Sequence, residues 1–207
     1  MRENESHAIK HATELMAAAR DGAGEDVEIF IDCVENLSPR TIIFAAKSFE
    51  PFRPGFFEEP IPFENAKVMA QIARKVSIPI ATGERLLSRW EYREIIESGG
   101  CSIIQPDIMH GAGITEVQQI ASMADTYYIS VAPHNPGGPI CTLAAIHLSA
   151  AMPNFYILEQ IEKERPLRNK LCTNPIEYHD GFFELPKTPG IGTDLNLEVL
   201  KDFKFKP

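Results

Sequence analysis

Six times along this chain a short apolar run ends in an ionisable side chain, and that recurrence constrains the fold more than any other feature. The runs occupy residues 27–32, 56–60, 79–84, 102–107, 129–134 and 155–160. Their terminal residues are Asp32, Glu58, Glu84, Asp107, His134 and Glu159, separated by 26, 26, 23, 27 and 25 positions. Apolar runs of four to eight residues bounded by Pro or Gly read as buried strands. Each gap carries a helical pattern, so the period is that of successive βα units in a parallel sheet or barrel. In a (β/α) barrel the functional groups sit at the carboxyl ends of the strands. Acids are rarely buried unless paired or bound to metal, so a row of six ionisable strand ends points to a site. The expected fold is α/β, a TIM-type (β/α) barrel portion with about six βα units. A closed barrel has eight strands, which places the first strands outside this sequence.

Local signals divide the chain. Ser38-Pro39 predicts an N-cap with proline at the first helical position. Ser88-Arg89-Trp90-Glu91 predicts a capping box for a helix that stops at Gly99-Gly100. Val68, Ile72, Ala73 and Val76 predict the buried face of one helix, and Val117, Ile120, Ala121 and Ala124 that of another. An apolar helix is expected over about 140–151. Beyond Glu162 the composition shifts, and Asp180-Gly181 between two apolar-aromatic runs reads as a hairpin turn. The expected organisation is a partial barrel over 1–162 and a C-terminal hairpin and tail over 163–207 that packs elsewhere on the molecule.

With 207 residues, 44% of them hydrophobic and 24% charged, the chain can build a single well-filled core. A net charge of −9 without a Lys/Arg cluster argues against nucleic acid or an anionic membrane as partner. No apolar run approaches the roughly 18–20 residues of a membrane span, and the polar N-terminal stretch does not read as a secretory signal. Cys33, Cys101, Cys141 and Cys172 are widely spaced, as reduced thiols of a cytoplasmic protein are. Unpaired sheet edges invite association, so a homo-oligomer is expected.

Asp32, Glu58 and Glu84 on neighbouring strands make an all-oxygen ligand set that suits Mg²⁺. Asp107 and His134 end adjacent strands, where the carboxylate can orient the imidazole as a general base. Glu159 can hydrogen-bond an anionic oxygen or orient a ligand. Glu59 reads as a supporting or ion-paired acid and Cys33 as packing. Gly111-x-Gly113 is too sparse for a dinucleotide fingerprint, and no Gly-x-Ser-x-Gly is present, so serine-hydrolase chemistry has no support.

The motifs Phe57-Glu58-Glu59-Pro60, Ala81-Thr82-Gly83-Glu84-Arg85, Gln105-Pro106-Asp107 and Ala132-Pro133-His134-Asn135-Pro136 resemble the enolase superfamily. The likeness is to its mandelate racemase subgroup, and within it to the galactonate dehydratase-like acid-sugar dehydratases, over about residues 5–192. The resemblance implies Mg²⁺ on Asp32, Glu58 and Glu84, His134 as base with Asp107 behind it, and Glu159 as an electrophilic helper. Arg85 and Asn135, within two of these motifs, are assigned to substrate binding. The implied reaction is a lyase reaction: α-proton abstraction beside a sugar-acid carboxylate, the metal stabilising the enediolate, then loss of water. Such a protein meets a small-molecule sugar acid as its partner. Two departures accompany the likeness. Val34 stands where galactonate dehydratases carry a histidine that protonates the departing hydroxyl. The second-strand Lys-x-Lys base and the N-terminal capping domain also lie outside this sequence. An alternative reading follows, a truncated or degenerate superfamily member that keeps fold and metal site without catalysis.

Overall fold

Side chains alternate across a strand, and here that alternation builds two apolar layers. The computed structural model describes residues 3–35, 37–111 and 113–203. Helix α1 (Glu3–Ala23) precedes strand β1 (Ile31–Asp32) and helix α2 (Pro39–Phe49). Then come β2 (Phe57–Glu58), α3 (Ala66–Ala73), β3 (Ile80–Thr82), α4 (Arg89–Ser98), β4 (Ile103–Ile104), α5 (Gly113–Asp125), β5 (Ser130–Val131) and α6 (Pro139–Ala151). The strands form one parallel sheet in the order β1-β2-β3-β4-β5. Phe57, Ile80, Ile104 and Val131 point to one side and pack with Ile42, Ile72, Tyr92 and Ile120 from the helices. Phe56, Ala81, Ile103 and Ala132 point to the other and form a smaller cluster with Phe30. Each fully buried residue of the size of Phe57 or Ile104 contributes about 1.5–3 kcal/mol by leaving water.

The ladders are shorter than the apolar runs, two or three residues each. Proline explains part of this, because it lacks the N–H that a ladder needs. Pro60, Pro79, Pro106 and Pro133 each stand within two residues of a strand end. Single backbone bonds prolong the pairing, among them Cys33 N–H to Glu58 C=O (2.9 Å), Glu59 N–H to Ala81 C=O (3.0 Å) and Gln105 N–H to Thr82 C=O (3.0 Å). The sixth run joins by one parallel bridge, Val131 to Phe155, flanked by Tyr156 N–H to Val131 C=O at 2.8 Å. The first and sixth runs also meet. Phe30 stacks on Phe56 with centroids 4.1 Å apart and meets the Tyr156 ring edge-on at 6.1 Å. The Tyr156 hydroxyl donates to Glu28 Oε2 at 2.6 Å.

The helix signals are met by side chains at the expected places. The Ser38 hydroxyl accepts Thr41 N–H at 3.1 Å, with proline in the first turn. Ser88 and Glu91 form the capping box of α4, which ends at Gly99 in the left-handed region. Val117, Ile120, Ala121 and Ala124 are the buried face of α5. The face of α3 differs from expectation. Asn65 caps that helix and Val76 lies beyond its end, so Ala66, Met69, Ala70 and Ile72 are buried while Val68 and Ala73 are only partly covered. Helix α6 is apolar on most sides because it is covered twice, and Leu143 and Ile146 also pack against Ile176, Leu158 and Phe183. Helix α7 (Arg165–Lys170) precedes a hairpin of β6 (Tyr178–His179) and β7 (Phe182–Phe183). Asp180 and Gly181 turn it, both with positive φ.

Gly83 links β3 to Glu84 and tests this frame. Its φ is +129°, and a Cβ there would lie 2.7 Å from the Tyr92 ring and hydroxyl. Tyr92 is fully buried and its hydroxyl donates to Gly83 C=O. Gly83→Ala is expected to cost about 2 kcal/mol or more in urea unfolding, from backbone strain and overpacking. A loss below about 0.5 kcal/mol would contradict the close approach.

Candidate active site at the carboxyl ends of the strands

Asp32 and Glu58 are partners in the β1–β2 register, which sets two carboxylates side by side. Asp32 Oδ1 accepts Val34 N–H at 2.9 Å within a turn where Val34 and Glu35 have φ of +48° and +56°. Glu58 shares its face with Phe56 and is partly buried. Burial pushes its carboxyl up to about 7, against a hydrogen bond from Gln105 and with help from the charges of Asp32, Glu159 and Glu84. Glu84 follows β3 directly. Its Oε2 lies 3.3 Å from His134 Nε2, and its Oε1 lies 3.6 Å from Arg85 Nε. Arg85 also reaches Glu35 at 3.2 Å, so its guanidinium ties two acids together.

His134 is held from both sides. Its Nδ1 lies 2.8 Å from Asp107 Oδ2, and Asp107 is almost fully buried. The other oxygen, Asp107 Oδ1, accepts Met109 N–H at 2.6 Å and His110 N–H at 2.9 Å, which fixes the carboxylate plane. Burial alone would raise the Asp107 carboxyl, yet the bonds from His134 and from those two amides hold it below its ordinary value. The imidazole shows the reverse balance. Burial disfavours its charge, but Asp107 as hydrogen-bond partner and the charges of Glu84, Glu159 and Asp107 raise its pKa above 6.5.

Glu159 and Asn135 belong to a third group. Glu159 Oε2 accepts Asn135 N–H at 2.6 Å, and its carbonyl accepts the Asn135 side-chain amide at 3.0 Å. Asn135 is fully buried, and its Oδ1 accepts the Thr142 hydroxyl at 3.2 Å. Arg168, buried from α7, donates to Asn135 C=O at 3.4 Å, Thr142 Oγ1 at 3.1 Å and Pro136 C=O at 3.0 Å. The loop after His134 is thereby pinned to the C-terminal segment. Glu59, expected as a supporting or ion-paired acid, is nearly fully buried with φ of +40°. Its Oε1 accepts Thr82 Oγ1–H at 2.9 Å and Gly83 N–H at 2.6 Å, while its Oε2 has no hydrogen-bond partner. Burial pushes its carboxyl up to about 7.

His110 escaped the sequence reading, although Asp107-x-x-His110 was there to be seen. Its Nδ1 lies 3.7 Å from Asp107 Oδ2, and its ring centroid is 5.9 Å from that of His134. Among the described residues, the side chains whose ligand atoms all lie within 4.8 Å of one another are Asp107, His110 and His134, not the three strand-end acids. The acids nevertheless suit a hard cation by donor type, and the Glu58 carboxyl, raised first by burial and then by Asp32, Glu159 and Glu84, has like charges around it that such an ion would relieve. Cys33, beside Asp32, has its thiol pushed up to about 12 by burial and by the charges of Asp32 and Glu58. Without a bound ion it is therefore a neutral thiol at neutral pH.

Residues 3–199 match the family described as enolase C-terminal domain-like. D-galactonate dehydratase of Ralstonia pickettii is 36% identical over 200 residues, covering 92% of this chain and 52% of that protein. The enzyme of the same name from Cronobacter sakazakii is 34% identical over 204 residues, covering 94% and 53%. A solved enolase superfamily member from Salmonella Typhimurium superposes with a TM-score of 0.89 at 38% identity, covering 93% of this chain and 50% of the other. A mandelate racemase/muconate lactonizing enzyme from a Sulfitobacter species gives 0.92 at 32% identity, covering 96% and 50%. This chain belongs to the enolase C-terminal domain-like family, with the TIM-barrel-like domain of the enolase superfamily. It spans about half the length of the curated relatives it matches.

The dyad makes a titration prediction. A histidine pKa raised in the folded state adds stability below about pH 6.5, and that contribution fades as pH climbs through the raised value. Asp107→Asn removes the facing charge, so His134 should titrate at lower pH by ring-proton NMR and the stability–pH curve should flatten. An unchanged titration would contradict the assigned partner.

Proposed function

We propose that this chain carries the catalytic portion of a Mg²⁺-dependent acid-sugar dehydratase, a lyase of galactonate dehydratase type. The observation that carries the reading is the suspension of His134 between Asp107 at 2.8 Å and Glu84 at 3.3 Å. That arrangement aims one ring nitrogen at a supporting acid and the other at Glu84, one of the strand-end carboxylates. Asp32, Glu58 and Glu84 would hold the ion, which when bound supplies Lewis-acid stabilisation of charge on the substrate carboxylate. Asp107 keeps the proton on His134 Nδ1, leaving Nε2 to take the proton from the carbon next to the carboxylate. The C–O bond at the next carbon then breaks, and the departing hydroxide needs a proton. Val34 has none to give. His134 returns the one it took, so both groups leave from one face, a syn elimination, and the enol rearranges to a 2-keto-3-deoxy acid.

Glu159 and Asn135 hold the loop beyond the base, and Arg85 beside Glu84 offers a cation to an anionic substrate. The names of the two dehydratase relatives support the sugar-acid class. The raised His134 pKa predicts a rate that climbs with pH until the imidazole is neutral. In this reading residues 1–162 are the barrel portion and 163–207 the hairpin and tail packed on it, in a homo-oligomeric cytoplasmic enzyme. Four free cysteines support the compartment, and the short ladder at Phe155 supports association through sheet edges. Among the described residues, no helix is long and apolar enough to cross a membrane.

The second reading, a member that keeps the fold and metal set without turnover, is favoured by Val34 and by the spread of the three acids. Incubation with D-galactonate and other hexonates and pentonates, with Mg²⁺, separates the two. The dehydratase reading expects 2-keto-3-deoxy products, lost by about 10²–10⁴-fold or more in His134→Asn. Turnover that survives His134→Asn removes His134 from the mechanism. Mg²⁺ binding without turnover on any acid establishes the second reading.

A further inference from the structure

We propose that Asp107, His110 and His134 form a second cation site, built for a transition ion of the Zn²⁺ class rather than for Mg²⁺. Its donors are two imidazoles and one carboxylate, the set that Zn²⁺ favours and that hard cations take poorly. Zinc bonds of roughly 2.0–2.1 Å in a tetrahedron put neighbouring ligand atoms about 3.3 Å apart. The separations present bracket that value, 2.8 Å from Asp107 Oδ2 to His134 Nδ1 and 3.7 Å from the same oxygen to His110 Nδ1. All three ligand atoms lie within 4.8 Å of one another, so small rotations close the set.

The surroundings favour those rotations at one ligand only. Asp107 is buried and its Oδ1 is already engaged by the Met109 and His110 amides, leaving Oδ2 as the atom that both rings face. Gly111 N–H bonds to Asp107 C=O at 2.9 Å, closing a turn that brings His110 back over the carboxylate. Gly111 itself suits the turn, since a Cβ there would lie 2.8 Å from that carbonyl. His134 is held by Glu84 on its far nitrogen. His110 is half exposed, so it supplies both the freedom to close and the route by which an ion enters, with water left as the fourth ligand. Coordination through His134 Nδ1 releases the proton shared with Asp107 to solvent and locks the ring against Asp107. A Zn²⁺-class ion therefore occupies the proton-transfer group without touching Asp32 or Glu58.

Calorimetric titration with Zn²⁺ in excess Mg²⁺ tests the site, with Co²⁺ absorption reporting tetrahedral geometry. Wild type should bind one such ion. His110→Ala, a substitution at a half-exposed position, should weaken binding about 10–100-fold or more. Glu58→Gln, which disables the all-carboxylate set, should leave the affinity within about threefold. Equal affinity in His110→Ala, loss of binding in Glu58→Gln, displacement by Mg²⁺, or no specific binding would each overturn the proposal. None of these readouts depends on turnover, so failure of the dehydratase reading and failure of this site are separate results.

Discussion

Parallel strands of which all but one end in an acid must crowd negative charge at one end of the sheet, and much of the surrounding structure answers that constraint. Asp32 and Glu58 face each other in register, and the Glu58 carboxyl rises to about 7 through burial and through its charged neighbours. Three devices compensate within the protein. Arg85 bridges Glu84 to Glu35, the Gln105 side chain bonds Glu58, and His134 inserts between Glu84 and Asp107. The raised imidazole pKa is the counterpart of the raised carboxyl. Burial is the main cause of the raised carboxyl and the surrounding carboxylates the cause of the raised imidazole, and only the imidazole reports excess negative charge directly.

Precision in that cluster comes from buried groups that brace it. Glu59 accepts from Thr82 and from the Gly83 amide, which fixes the step from β3 to Glu84. Tyr92 holds the Gly83 carbonyl from the other side. Beyond β5, Asn135, Thr142 on α6 and Arg168 on α7 pin the loop after His134 to the C-terminal segment. The C-terminal segment thus does more than cover α6, because it steadies the loop that follows the proposed base.

The strand-end residues were legible from spacing, since the recurrence of apolar run and acid is local information repeated at a fixed interval. Caps were legible for the same reason, and Ser38, Ser88 and Gly99 stand where their local chemistry predicts. The extent of pairing was not. It depends on partners some 25 positions away and on prolines that interrupt the ladder, so the run at 155–160 reads as a strand yet joins by a single bridge at Phe155. His110 was missed because a half-exposed histidine carries no periodicity, and only the turn fixed by Gly111 brings it over Asp107. The Arg168 contacts join residues more than 25 positions apart, a distance over which sequence patterning is silent.

The central claim is that a hard cation on the strand-end acids sits beside His134, and Mn²⁺ as a paramagnetic substitute for Mg²⁺ tests it directly. The ring-proton signals of His134 should broaden at substoichiometric Mn²⁺ while those of His147, whose Nε2 lies 3.3 Å from Ile191 C=O, stay sharp. The broadening should vanish in Glu58→Gln and persist in His110→Ala. Broadening that survives Glu58→Gln, or none at His134 in the unaltered protein, would contradict the account.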